Sequence, residues 1–116
     1  EVFNIISHVH WSPVDTNTGT VRWGLEYSWA NMDGTFGAPS TIYAEDAGDG
    51  TAWKHQVKDF SALDATGKTI SSMIVCRLFR DADHANDTYD NDAALLECDF
   101  HYEIDTPAGS RAITTK

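Results

Sequence analysis

The feature that most constrains this chain is an uninterrupted alternation of apolar and polar residues between positions 21 and 29. The apolar members of this run are Val21, Trp23, Leu25, Tyr27 and Trp29. Alternate side chains of a β-strand lie on one face, whereas an α-helix would distribute these five around its circumference. The run therefore predicts a half-buried strand with one aromatic face.

Shorter runs of the same kind recur along the chain, and turn residues separate them. They are Phe3–Trp11, Ser40–Ala44, Trp53–Val57, Ile70–Arg80 and Leu96–Ile104. Only residues 61–68 suggest a helical turn, and no spacing fits a strand–helix–strand unit, so a parallel sheet is not expected. The pattern predicts an all-β fold, an antiparallel β-sandwich or jelly roll with six to eight strands.

The length of the chain sets its domain organisation. With 116 residues and 12.8 kDa, it is long enough to bury roughly two-thirds of its surface in a single core. We expect residues 1–105 to form one β-sandwich domain. Residues 106–116 contain Pro107 and Gly109, lack periodicity and are predicted to form a C-terminal tail. A strand-like run begins directly after Glu1, so we expect the chain to be a piece of a longer protein.

Charge and composition exclude several functions. The net charge is −10, which argues against nucleic acid and anionic membranes as partners because both are bound mainly through basic residues. No apolar run approaches the length of a membrane span. Cys76 and Cys98 are predicted to be small buried apolar residues, not a disulfide framework. All four tryptophans fall on predicted inward faces.

A pair of histidines, His8 and His10, is the first candidate site. Residues at i and i+2 on a strand share a face, and imidazoles are common ligands of transition metals. His101 is a possible third ligand if its strand is adjacent. Alternatively, three chains on a threefold axis would bring six nitrogens together. The competing interpretation is that these histidines only form hydrogen bonds on a polar or subunit-facing surface.

The acidic segment from Asp81 to Asp92 is the second candidate site, with Asp83, Asp87 and Asp90 as binding residues. Its oxygen atoms could serve calcium, although it lacks the ligand spacing of an EF-hand loop. The alternative is a solvated loop without a bound ion, and the polar groups of such a loop could contact a host surface. Glu97, Asp99 and Glu103 share a predicted strand face with His101, and paired carboxylates at this spacing could perform glycosidase chemistry, but no second signature supports a cleft.

Four segments of the sequence resemble small β-structured virion proteins of tailed bacteriophages, of the head-fibre, tail-fibre or knob type. They are Ser7–Pro13, Thr18–Asn31, Thr51–Gln56 and Ile74–Asp81. The resemblance covers most of residues 5–104 and contains no catalytic signature. It implies a non-enzymatic, capsid- or tail-associated module that forms a homotrimer in the virion after synthesis in the host cytoplasm. Its implied partners are other virion proteins and a host-surface glycan or receptor.

Apolar residues on both faces of the predicted strands also favour self-association, because Ile6, Met73 and Val75 lie opposite the core side. Two other functions remain open at this stage. A carbohydrate-binding module would need an exposed Trp or Tyr platform beside the acidic segment. A cupin-like metalloenzyme would need His8, His10 and a third ligand inside one barrel.

Overall fold

The computed structural model describes residues 4–105 and 111–115, with side chains described through residue 102. The strands are β1 (Asn4–Pro13), β2 (Thr20–Ala30), β3 (Ser40–Ala47), β4 (Gln56–Asp59), β5 (Leu63–Asp64), β6 (Met73–Arg80), β7 (Ala93–Asp105) and β8 (Arg111–Thr115). The described ranges contain no helix, and therefore none that could cross a membrane. The predicted all-β class is confirmed.

The strands form two antiparallel sheets. In the first sheet the order is β4-β1-β7-β8, and the short β5 also pairs with β1. The second sheet has the order β3-β2-β6, with the alternating run of β2 at its centre. The long β1–β7 ladder sets His8 opposite Asp99 and His10 opposite Glu97, with a register shift between His10 and Trp11. This ladder determines the composition of the site described below.

The two sheets pack against each other around a pair of tryptophans. Trp11 of β1 and Trp23 of β2 have ring centroids 6.1 Å apart, and both are buried. Val9 lies beside them on β1, and Leu25 continues the same face of β2. The Trp11 indole donates a hydrogen bond to Asp46 at 2.9 Å. Large aromatic side chains bury the most area per residue, so this pair anchors the sandwich.

The sandwich is open at its other end. A cleft of about 300 Å³ separates the sheets there. Its lining is mostly apolar and includes Ile5, Trp29, Ile74, Phe100 and Tyr102. The core of a single chain therefore fills only part of the space between its sheets.

Several local predictions are wrong. Trp53 is 68% exposed with φ of 62°, because it lies in the connection between β3 and β4 and not within a strand. Cys76 is also exposed, since its part of β6 borders the open end. Residues 61–68 contain β5 and turns instead of a helical turn. Arg111–Thr115, predicted as tail, forms β8 through pairing with β7.

Candidate functional site

Three of the predicted ligands lie together on the outer face of the first sheet. In β1, Val9 and Trp11 point into the core, so the alternation of the strand turns His8 and His10 outward. The register of β7 places Asp99 opposite His8. His101 follows two residues later and therefore lies on the same face. The structure brings His8, His10 and His101 together within a single chain.

The Asp99 carboxylate lies at the centre of this arrangement. Its Oδ2 atom lies 3.0 Å from His10 Nε2, a hydrogen bond in which the imidazole donates because a carboxylate can only accept. Its Oδ1 atom lies 3.5 Å from His101 Nε2 and 3.7 Å from His8 Nδ1. The Asp99 side chain is only 8% exposed. No described group donates a hydrogen bond to Oδ1.

Two further residues, Asp59 and His55, contact the histidines that surround Asp99. Asp59 of β4 places its Oδ1 atom 3.2 Å from His8 Nε2. His55 places its Nε2 atom 2.8 Å from His10 Nδ1. The rings of His8 and His101 stack with centroids 4.0 Å apart. We call this group, consisting of His8, His10, His55, His101 and Asp99, the histidine cluster.

The histidine cluster and the neighbouring Glu97 offer two sets of ligand atoms that are close enough together for a metal ion. One set comprises His8, Asp99 and His101, and the other comprises His10, Glu97 and Asp99. Sequence reasoning identified three histidines but not Asp99 as their centre, and it missed His55. The only indication in the sequence that Asp99 belongs with these histidines is that it lies two residues before His101, on the same predicted strand face.

The placement of the cluster bears on the cupin-like hypothesis, which required the histidines to point into the interior. His8 and His10 alternate with the core residues Val9 and Trp11 and therefore lie on the opposite face. A buried barrel centre built from them is excluded by this alternation. Any chemistry of the cluster takes place at an outer sheet surface.

The acidic segment differs from the predicted solvated loop, because Asp87 is buried and paired. Its carboxylate accepts hydrogen bonds from Arg80 Nε at 3.0 Å and Nη2 at 2.7 Å, and from the backbone N–H of Arg22 at 3.0 Å. Burial acts to raise the pKa of Asp87, but these hydrogen bonds and the charge of Arg80 outweigh it and lower the pKa. Asp87 thus supports the fold through these contacts, and its assignment to a binding site stays a prediction.

Asp83 and Asp90 are exposed, as a solvated loop requires. They do not join Asp87 in a cation site: within the part of the chain whose side chains are described, neither set of potential metal ligands includes a residue of this segment. The buried Tyr89 further fixes the segment, because its hydroxyl donates to Asp15 at 2.7 Å. The acidic segment is therefore anchored through Asp87 and Tyr89 and exposed on either side of them, at Asp83 and Asp90.

An open aromatic platform beside the acidic segment would favour carbohydrate binding. Tyr43 is the exposed aromatic residue on the outer face of β3, but the Arg22 guanidinium covers its ring at 3.9 Å from the centroid. Trp53 is uncovered, yet it belongs to the β3–β4 connection, where its backbone N–H donates a hydrogen bond to the Pro13 carbonyl oxygen. The described residues at the acidic segment thus offer no uncovered ring for stacking on a sugar.

Comparison of the chain with protein-family models, with curated proteins and with solved structures finds no match.

Proposed function

We propose that this protein is a non-enzymatic structural module that works by self-association. The observation that supports this proposal is an exposed apolar surface beside β6. It comprises Met32, Phe36, Met73 and Val75, which are between 46% and 67% exposed. Phe36 lines one shallow depression together with Val75 and another together with Met73, which makes the surface continuous. We call this surface the β6 patch.

The position of β6 adds to this argument. Among the described strands, β6 pairs only with β2, so its other edge is open. It is eight residues long and contains neither proline nor glycine. A monomeric protein usually protects such an edge, because its unpaired N–H and C=O groups can pair with another chain. A second copy of this chain would cover both the open edge and the β6 patch.

The expected assembly is a homotrimer, which the resemblance to phage knob proteins implies. Three copies around an axis need a heterologous contact, in which the β6 patch of one copy meets a different surface of the next. Apolar burial must then outweigh repulsion between chains that each carry a charge of −10. Association should therefore strengthen when salt screens this repulsion.

The biological setting proposed for this module is the bacteriophage virion. The support is the resemblance of residues 7–13, 18–31, 51–56 and 74–81 to tail- and head-fibre proteins. Attachment to other virion proteins would use apolar β-contacts, because the negative charge disfavours capture of anionic surfaces. The exposed part of the acidic segment, with Asp83 and Asp90, is available for contact with a host-surface glycan or receptor.

Light scattering after size-exclusion chromatography tests self-association. The wild-type chain is expected at three times 12.8 kDa at micromolar concentration. The Val75→Lys variant should dissociate toward monomer, since it places a charge in the centre of the β6 patch. Val57→Lys is the matched control, because Val57 is also an exposed strand valine but belongs to β4 of the other sheet. A monomeric wild-type protein would refute the proposal, as would equal masses of the Val75→Lys variant and wild type.

A further inference from the structure

One buried oxygen in the histidine cluster has no hydrogen-bond donor among the groups that the structure describes. This atom is Asp99 Oδ1, while Asp99 Oδ2 is satisfied by His10. Leaving a buried acceptor unpaired costs about 1–3 kcal/mol, and more for a charged group. Such an atom in a folded protein requires an explanation, and a bound ion is one of the few available.

Two imidazole nitrogens approach this same oxygen. The distances to Asp99 Oδ1 are 3.5 Å from His101 Nε2 and 3.7 Å from His8 Nδ1. Around a tetrahedral zinc ion with ligands at about 2.1 Å, neighbouring ligand atoms are separated by about 3.4 Å. One ligand atom from each of His8, Asp99 and His101 also lies within 4.8 Å of the other two. Their spacing therefore approximates three corners of a tetrahedral site.

The contact between Asp59 and His8 prepares one of these nitrogens for a metal. Because Asp59 Oδ1 lies 3.2 Å from His8 Nε2, the neutral ring favours its proton on Nε2. The lone pair is then on Nδ1, which faces Asp99 Oδ1. An imidazole lone pair and a carboxylate oxygen repel at short range, and a proton or a bound cation between them relieves this repulsion. A carboxylate behind a ligating imidazole is the usual outer contact of a metal-bound histidine.

We propose that His8 Nδ1, His101 Nε2 and Asp99 Oδ1 bind one divalent first-row transition ion, such as Zn²⁺, on the outer face of the first sheet. Two imidazoles and one carboxylate are a donor set that such ions accept. The rings of His8 and His101 are tilted by only 20°, so one ring must rotate for both lone pairs to converge. The His101 side chain is 30% exposed.

The second set of potential ligands, His10, Glu97 and Asp99, is a less suitable metal site. His10 uses Nε2 to donate to Asp99 Oδ2, and its Nδ1 accepts from His55 at 2.8 Å. Both nitrogens of His10 are therefore occupied by hydrogen bonds. Glu97 is exposed and would have to be held in place by the ion alone. For these reasons we assign the ion to the Oδ1 side of Asp99.

Zn²⁺ binding to chelator-treated full chain tests this site, with isothermal titration calorimetry for affinity and elemental analysis after dialysis for stoichiometry. We expect one Zn²⁺ per chain. Replacing a ligand, in His101→Asn or Asp99→Asn, should lower the affinity by about 100-fold or more, and Asp59→Asn by about 10- to 100-fold. The matched control is His84→Asn, because His84 lies in the acidic segment outside the cluster and should leave the affinity unchanged.

Three results would overturn the assignment. The first is the absence of stoichiometric Zn²⁺ binding by the wild-type chain. The second is an affinity that His101→Asn leaves equal to that of the His84→Asn control. The third is a His55→Asn variant that loses as much affinity as His101→Asn, since this would place the ion beside His10. Circular dichroism of the metal-free proteins establishes whether each variant is folded. If Asp99→Asn does not fold, His101→Asn still tests the site, because His101 is partly exposed and its replacement should not unfold the chain.

Discussion

Asp87 and Arg80 form a two-point ion pair at the base of the acidic segment. Arg80 Nη2 lies 2.7 Å from Asp87 Oδ1, and Arg80 Nε lies 3.0 Å from Asp87 Oδ2. The Asp87 side chain is 2% exposed and that of Arg80 is 20% exposed. The same guanidinium donates to the carbonyl oxygens of Tyr89 and Asn91. The Arg80 side chain thus fixes the connection between β6 and β7.

Replacing Asp87 by asparagine should destabilise the fold strongly. Asparagine keeps the size of the side chain but removes the charge that compensates a largely buried guanidinium. Breaking a buried pair on one side costs about 3–5 kcal/mol, a large part of the stability of a typical small domain. Urea unfolding followed by tryptophan fluorescence measures this loss, and a loss below about 1 kcal/mol would show that the pair is not structurally important.

The contribution of Asp87 to stability should depend on pH in a defined direction. Because its folded-state pKa is lowered, the contribution is complete above the unfolded pKa of about 3.9 and is lost as the pH falls through the folded value. The difference in unfolding free energy between wild type and Asp87→Asn should therefore be constant from about pH 5 to 7 and shrink below about pH 4. If the difference in unfolding free energy grew as the pH fell, the predicted direction of the pH dependence would be wrong.

Replacing Asp83 and Asp90 together by asparagine should leave stability within about 0.5 kcal/mol of wild type. Both side chains are exposed, in contrast to Asp87 in the same segment. Thermal unfolding of the double variant, compared with Asp87→Asn, separates the solvated part of the segment from its structural part. A large loss in the double variant would mean that the exposed residues of the segment also support the fold.

The strand pattern of β2 was readable from the sequence because it depends only on neighbouring positions. The outward direction of His8 and His10 follows from the same local alternation. Asp99, however, reaches His8 through a ladder that joins residues 91 positions apart, and no local pattern reports that register. His55 was missed for the same reason, because its partner His10 is far away in sequence.

Trp53 and Cys76 show a different limit of the sequence pattern. The alternation around Trp53 is short, and the residues before it are turn formers. The same residues are therefore compatible with a strand or with a connection between strands. Cys76 does alternate with Val75 and Arg77 within β6, but its exposure depends on whether the opposite sheet covers that part of the strand. Burial is a tertiary property, whereas alternation establishes only which residues share a face.

The two tryptophans Trp23 and Trp53 should respond very differently to replacement by alanine. Trp23 is 2% exposed and packs against Trp11, so Trp23→Ala should cost about 3–5 kcal/mol through lost burial and a cavity. Trp53 is mostly exposed, and Trp53→Ala should change stability by no more than about 0.5 kcal/mol. Denaturant titration of both variants in parallel measures the contrast. Similar losses would mean that Trp53 is covered in solution, for example by another copy of the chain.

Gly19 should be intolerant of any side chain, because the backbone of the acidic segment crosses directly over it. A Cβ atom at this position would overlap the Thr88 carbonyl oxygen and lie 2.8 Å from Tyr89 Cα. Those backbone atoms cannot move away, since Thr88 N and Tyr89 N both donate to Thr20 O. Gly19→Ala should therefore cost at least about 1–3 kcal/mol, the range for overpacking.

Gly37→Ala is the control for this prediction, because a Cβ atom at Gly37 meets nothing within 4 Å. Removing backbone freedom from the unfolded chain at an unstrained position should leave stability unchanged or raise it by up to about 1 kcal/mol. Chemical denaturation of the two variants compares them directly. If Gly19→Ala were as stable as Gly37→Ala, the acidic segment would not lie against the start of β2, and its anchoring through Asp87 and Tyr89 would have to be reconsidered.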